Sequence, residues 1–114
     1  MTHYKHSYLR TYRKRSGLTQ RDLGLLLGFV DGAEVGRYER SLRLPNTQSL
    51  LACQVVFDVE PLVLFPDVHE RVEQIIVKRA LRLRDELPRD QWFERKRAVL
   101  TAIAERSRQR ANQL

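Results

Sequence analysis

The spacing of apolar and polar residues between Leu18 and Arg40 predicts two short helices joined by a tight turn. Thr19 is a good N-cap for the first helix, over residues 19–27, and Asp22 three residues later makes a capping-box-like pair with it. Gly28, directly after the last leucine, suits a left-handed C-cap. One face of this helix is expected to be buried, and its apolar residues are Leu18, Leu23, Leu26 and Leu27.

The second helix is predicted over residues 32–40, with Asp31 as its cap and Val35 and Tyr38 facing inward. Two short helices joined by a glycine-containing turn form a helix-turn-helix, whose second helix can enter the major groove of DNA. Two glycines weaken this helix by about 1 kcal/mol each relative to alanine. Its exposed residues are expected to be Gly32, Ala33, Glu34, Gly36, Arg37 and Arg40.

Three further helices are predicted around this pair, over residues 7–16, 46–57 and 59–65. Asn46 can cap the fourth helix, and Pro61 fits the first turn of the fifth. Leu62, Val63 and Phe65 are expected to close the core, and Pro66 to end the unit. The pattern predicts an all-α fold, with a five-helix DNA-binding domain over residues 1–66.

Residues 67–114 read as an amphipathic helical hairpin, capped at Asp67 and broken at Pro88, with a new helix near Arg89 or Asp90. Its apolar stripes are too large to face solvent. They are expected to pair with a second copy in a homodimer, and the alternatives are a self-packed monomeric tail or a hairpin that binds another protein. The dimerisation candidates are Val72, Ile75, Ile76, Leu83, Leu87, Trp92, Phe93, Val99, Leu100 and Ile103.

The composition limits the chemistry that this chain is expected to perform. It has 114 residues, a net charge of +7 and one cysteine, Cys53, which lies in an apolar run and reads as a buried small hydrophobe. No internal disulfide is possible, no secretory signal is expected, and no apolar run approaches the roughly 20 residues that span a bilayer. His3 and His6 lack metal-binding companions, so no metal, cofactor or enzymatic activity is expected, and the location is expected to be cytoplasmic.

Positive charge is concentrated at the start of the chain, where residues 1–21 hold six basic residues and no acidic one. A basic block beside a helix-turn-helix suits phosphate contact and counterion release, although many charge runs are only solvated surface. Residues 1–6 read as an arm that either follows a groove or is disordered.

Two stretches, LRTYRKRSGLTQRDLGLLLG and VGRYERSLRLPNTQSLLACQVVFDVEPLVLF, resemble the phage-repressor (Xre/Cro-like) helix-turn-helix family over roughly residues 9–65. The matching motifs are R-x-x-x-G-L-T-Q, the glycine that ends helix 2, Y-E-R at the end of helix 3, and R-x-P-x-x-x-x-L. Between Gly28 and Val35 this chain has about one residue more than the usual family spacing. That residue either lengthens the turn or extends helix 3.

The resemblance implies a bacterial or phage regulator that binds a palindromic double-stranded DNA operator, and a repressor of its own or a neighbouring operon is expected. It also implies an ion pair between Arg13 and Glu39. Arg37 is the best candidate to bond O6 and N7 of a guanine, or equally to clamp a phosphate. The base-reading candidates are Ala33, Glu34, Gly36 and Arg37. The phosphate candidates are Lys5, Arg10, Lys14, Arg15, Thr19, Gln20, Arg21, Arg40, Arg43, Asn46 and Thr47. The alternative function is an antitoxin-like or anti-activator module that binds protein, with weak or secondary DNA binding.

Overall fold

A computed structural model describes residues 7–113, and every element of regular structure in that range is helical. The expected all-α fold is therefore confirmed. The chain divides into two compact units, one ending at His69 and the other beginning at Glu70, so the division falls inside the sixth helix. The helices are α1 (Leu9–Arg15), α2 (Gln20–Leu26), α3 (Ala33–Glu39), α4 (Thr47–Phe57), α5 (Pro61–Leu64), α6 (Pro66–Glu86) and α7 (Glu94–Asn112), with a 3₁₀ turn at Gln91–Phe93.

Each of the first five helices contributes to one hydrophobic core. Leu9 from α1, Leu23 from α2 and Val35 from α3 are fully buried there. A fully buried aliphatic side chain stabilises a fold by about 1.5–3 kcal/mol, so this cluster holds the five short helices together. The core cluster consists of Leu9, Leu23, Val35, Tyr38, Cys53, Leu64 and Phe65.

Two of the residues expected in this core lie on the surface instead. Leu26 is exposed because it is turned about 100° around the helix axis from Leu27, which packs against the core. Val63 is exposed as well, and Leu64 is fully buried in its place. A single helical turn such as α5 turns only a few side chains toward the core, and Leu64 rather than Val63 is one of them.

Most helix ends in the first unit follow the expected chemistry, but the starts of α3 and α6 do not. Gly17 and Gly28, after α1 and α2, have φ of +74° and +94°, a conformation that glycine adopts without strain. Asn46 caps α4, its Oδ1 accepting from the Ser49 amide at 2.8 Å. Pro66 does not end the unit but begins α6, because its fixed φ and missing N–H suit the first helical position. Asp67 accordingly lies within the first turn of α6 rather than before it.

The second unit contains the rest of α6, the 3₁₀ turn and α7. Asp90 caps the 3₁₀ turn, accepting from the Trp92 amide at 3.0 Å. Polar side chains join the two helices: Ser107 Oγ donates to Glu73 at 2.6 Å, and Arg110 forms an ion pair with Glu73. Among the ten dimerisation candidates, Val72, Ile76, Leu83, Trp92 and Val99 are exposed, and Ile75, Leu87, Phe93, Leu100 and Ile103 are half-buried. Within residues 7–113, no helix is both long enough and apolar enough to cross a membrane.

Candidate nucleic-acid interface

The start of α2 is fixed by a complete capping box. Thr19 Oγ1 accepts from the Asp22 amide, and Asp22 Oδ2 accepts from the Thr19 amide, both at 2.9 Å. Hydrogen bonding to Thr19, first through its backbone amide and then through its side chain, lowers the pKa of the Asp22 carboxyl. Because the cap defines where the helix begins, Gln20 and Arg21 lie in its exposed first turn.

Glycine allows α2 and α3 to approach each other closely. A Cβ built on Gly24 would lie 2.0 Å from the carbonyl oxygen of Asp31, and one on Gly32 would lie 2.6 Å from the carbonyl carbon of Gln20. Gly32, and not Asp31 as expected, is the N-cap of α3, and it has no side chain to cap the helix. Asp31, one residue earlier, accepts from the Ala33 amide at 2.9 Å. Residues 28–32 lie outside both helices, which favours a longer turn over a longer α3 as the place of the additional residue.

A buried ion pair links α1 to the end of α3. Arg13 Nε and Nη2 donate to the two carboxylate oxygens of Glu39 at 2.5 and 3.1 Å, and Nη1 donates to the Leu18 carbonyl at 2.9 Å. The hydrogen bond with Glu39 raises the pKa of Arg13, although burial opposes this effect. The arginine is therefore engaged inside the protein, as the family resemblance implies.

Gln20 extends this network to the surface. Its Nε2 donates to Glu39 Oε1 at 3.2 Å, and the amide lies over Gly36, so that a Cβ on Gly36 would be 3.4 Å from Nε2. Gly36 is consequently buried, so the expectation that it is exposed was wrong. Helical spacing alone placed Gly36 beside Arg37 on the outer face, but the Gln20 side chain covers it.

Three charged residues on and after α3 are joined in one cluster. Glu34 Oε1 accepts from Arg37 Nη1 at 2.8 Å and from Arg43 Nη1 at 2.9 Å. The first contact follows from i,i+3 spacing on a helix and was detectable in the sequence. The second was not, because it depends on a loop in which Ser41 has φ +58°.

Basic side chains line two depressions beside the helix-turn-helix, of about 680 and 660 Å³. Gln20, Arg21 and Arg40 line both of them. Arg10 lines only the first, and Arg37 only the second. The two depressions thus bring together residues from α1, α2 and α3 in a concave, basic surface, which we call the basic groove.

The phosphate candidates Lys14, Arg15, Asn46 and Thr47 are not among the residues that line the basic groove. Lys14 and Arg15 are exposed on α1, and Thr47 is exposed at the start of α4. Asn46 is also exposed, and its side chain is engaged as the cap of α4. Lys5 falls outside the described residues, as do His3 and His6 and the arm to which they belong.

The described residues, 7–113, offer little for metal or thiol chemistry. No group of three or more His, Cys, Asp and Glu residues in that range could hold a metal ion. Cys53 is buried in the core, and burial raises the pKa of its thiol to about 11. A thiol so protonated and enclosed is a poor nucleophile and metal ligand.

Comparison with known proteins gives one match. A family model described as helix-turn-helix matches residues 9–64, which is the span of α1 to α5. No curated protein and no solved structure matches the chain.

Proposed function

Because residues 9–64 belong to the helix-turn-helix family of DNA-binding regulators, we propose that this protein recognises one double-stranded DNA operator sequence and represses transcription there. The family match confirms the phage-repressor-like resemblance. In the proposed complex α3 lies in the major groove and the basic groove faces the DNA backbone.

The observation that supports this proposal best is the basic groove itself. It gathers Arg10, Arg21, Arg37 and Arg40 beside the first turn of α2. The N-terminus of a helix also favours negative charge, so the start of α2 suits a phosphate. In the proposal Gln20, held in position by Glu39, contacts the backbone together with the arginines.

Arg37 is the proposed base-reading residue. It is an exposed guanidinium in the second half of α3, and a guanidinium can bond O6 and N7 of guanine together. Ala33, exposed at the start of α3, is proposed to contact a thymine methyl group. The remaining proposed phosphate contacts, Lys14, Arg15, Arg43 and Thr47, are exposed residues of the same unit.

We further place a homodimer in this proposal, formed through the second unit. Val72, Ile76 and Leu83 are exposed apolar residues that helical spacing puts on one side of α6. Helix-turn-helix proteins commonly bind two half-sites as dimers, which makes a palindromic operator the expected target. Ile76→Glu should shift the protein from dimer to monomer in sedimentation equilibrium, and an unchanged mass would contradict this interface.

The experiment that tests the function is a binding titration against DNA from upstream of the gene, with random DNA as competitor. Arg37→Ala should lose about 1–3 kcal/mol, or roughly 5- to 150-fold, in affinity for the upstream DNA. Arg95→Ala, at an exposed position on α7, removes the same charge and serves as the matched control. Equal, weak binding to both DNAs would contradict the proposal and would favour the alternative of a protein-binding, antitoxin-like module.

A further inference from the structure

Within the candidate interface, one carboxylate oxygen is shared by two arginines. Glu34 Oε1 accepts from Nη1 of both Arg37 and Arg43, at 2.8 and 2.9 Å. The Glu34 side chain is only 17% exposed, whereas those of Arg37 and Arg43 are 44% and 62% exposed. The carboxylate is thus the enclosed partner, and the two cations cover it.

This arrangement restricts what the two arginines offer to DNA. Each has one terminal nitrogen engaged by Glu34, and the carboxylate cancels one of their two positive charges. A phosphate that approaches either guanidinium therefore competes with an internal acceptor. The carboxylate also repels a phosphate that comes near without displacing it.

We infer that Glu34 is a specificity-determining residue, which holds Arg37 and Arg43 back from the phosphates of non-cognate DNA. The inference rests on the proposed function and adds to it a residue that lowers affinity for the wrong sequence. It replaces the exposed, base-reading role that the sequence predicts for Glu34, whose side chain is only 17% exposed.

The physical reason is the cost of leaving a partly buried carboxylate without its donors. Pulling both arginines onto phosphates strands Glu34 in a site that is mostly closed to water, beside the negative charge of DNA. Phosphates are the same in every sequence, so that cost falls on all non-cognate complexes. A cognate site adds base contacts from Arg37 that offset it, and specificity is this difference between affinities.

The test compares Glu34→Gln with wild type for binding to a random-sequence duplex and to the operator. Glu60→Gln removes the same charge at an exposed position before α5 and is the matched control. In salt of about 50 to 200 mM, each arginine freed to bind a phosphate should steepen the slope of log affinity against log salt by about 0.9. For one additional phosphate contact, affinity for the random duplex should rise roughly tenfold at the lower salt.

Operator affinity should rise less than affinity for the random duplex, so the ratio between them falls in Glu34→Gln. A change in random-duplex affinity and salt slope no larger than that of Glu60→Gln would overturn the inference while leaving the proposed function intact. Wild-type protein that binds neither duplex at low salt would overturn both.

A second variant separates the release of Arg43 from any general effect of Glu34→Gln. Because Glu34 holds Arg43 back, Arg43→Ala should change the random-duplex affinity little in the wild-type background. In the Glu34→Gln background, the same substitution should remove much of the gain. An equal loss in both backgrounds would show that Glu34 does not restrain Arg43 and would overturn the inference.

Discussion

Arg13→Met removes one half of the ion pair that joins α1 to α3, while it keeps most of the alkyl stem in place. The side chains of Arg13 and Glu39 are 9% and 3% exposed, so the substitution strands a carboxylate that water hardly reaches. Gln20 would remain as a donor to Glu39, through its single hydrogen bond of 3.2 Å. The Leu18 carbonyl would lose its donor as well.

The expected loss is large relative to the stability of a small domain. Breaking a buried pair from one side costs about 3–5 kcal/mol, and whole domains are stable by only about 5–15 kcal/mol. At roughly 4–8 °C for each kcal/mol in a domain of this size, the melting temperature should fall by at least about 12 °C.

Urea unfolding followed by circular dichroism measures this loss directly. The double variant Arg13→Met/Glu39→Gln removes the stranded charge and should recover part of it, because replacing both partners costs less than removing one. Glu60→Gln, an exposed change of charge, should stay within about 0.5 kcal/mol of wild type. If Arg13→Met unfolded within about 1 kcal/mol of the control, the pair would not be the link between α1 and α3 that we describe.

Four smaller predictions concern other positions in the first unit. Gly24→Ala should destabilise the protein by at least about 2 kcal/mol, because its Cβ would lie 2.0 Å from a backbone carbonyl oxygen. Gly36→Ala is the control, since its Cβ meets only the flexible side chain of Gln20, and thermal melts should show that it is tolerated. Cys53 should stay unreactive toward a thiol reagent at pH 8 until the protein unfolds, since burial raises its pKa to about 11; rapid labelling of folded protein would contradict this. Thr19→Ala should cost about 1 kcal/mol in urea unfolding. Because the pKa of Asp22 is lowered on folding, its contribution is present above the unfolded pKa and lost as the pH falls through the folded one, so Asp22→Asn should reduce the acid sensitivity of unfolding.

Local signals in the sequence were sufficient for the helices of the first unit. The Thr19–Asp22 capping box, the left-handed glycine at residue 28 and the cap at Asn46 all depend on residues within four positions of each other. Such short-range chemistry is readable without a fold, because the helix terminus itself creates the need for it.

The features that could not be predicted depend on contacts between residues that are far apart in the sequence. The burial of Gly36 depends on Gln20, sixteen positions earlier, and the second partner of Glu34 comes from a loop beyond the end of α3. In a helix as short as α2, the spacing of its leucines does not distinguish the buried ones from exposed Leu26. The contacts of α2 with the neighbouring helices decide which of its faces is buried.

The central claim is that the helix-turn-helix unit reads a DNA sequence, and selection from a random double-stranded library tests it most directly. We expect enrichment of one twofold-symmetric site, with half-sites about one helical turn apart, and loss of that enrichment in Arg37→Ala. Retention of DNA without enrichment of any sequence, by a folded protein at moderate salt, would contradict the claim.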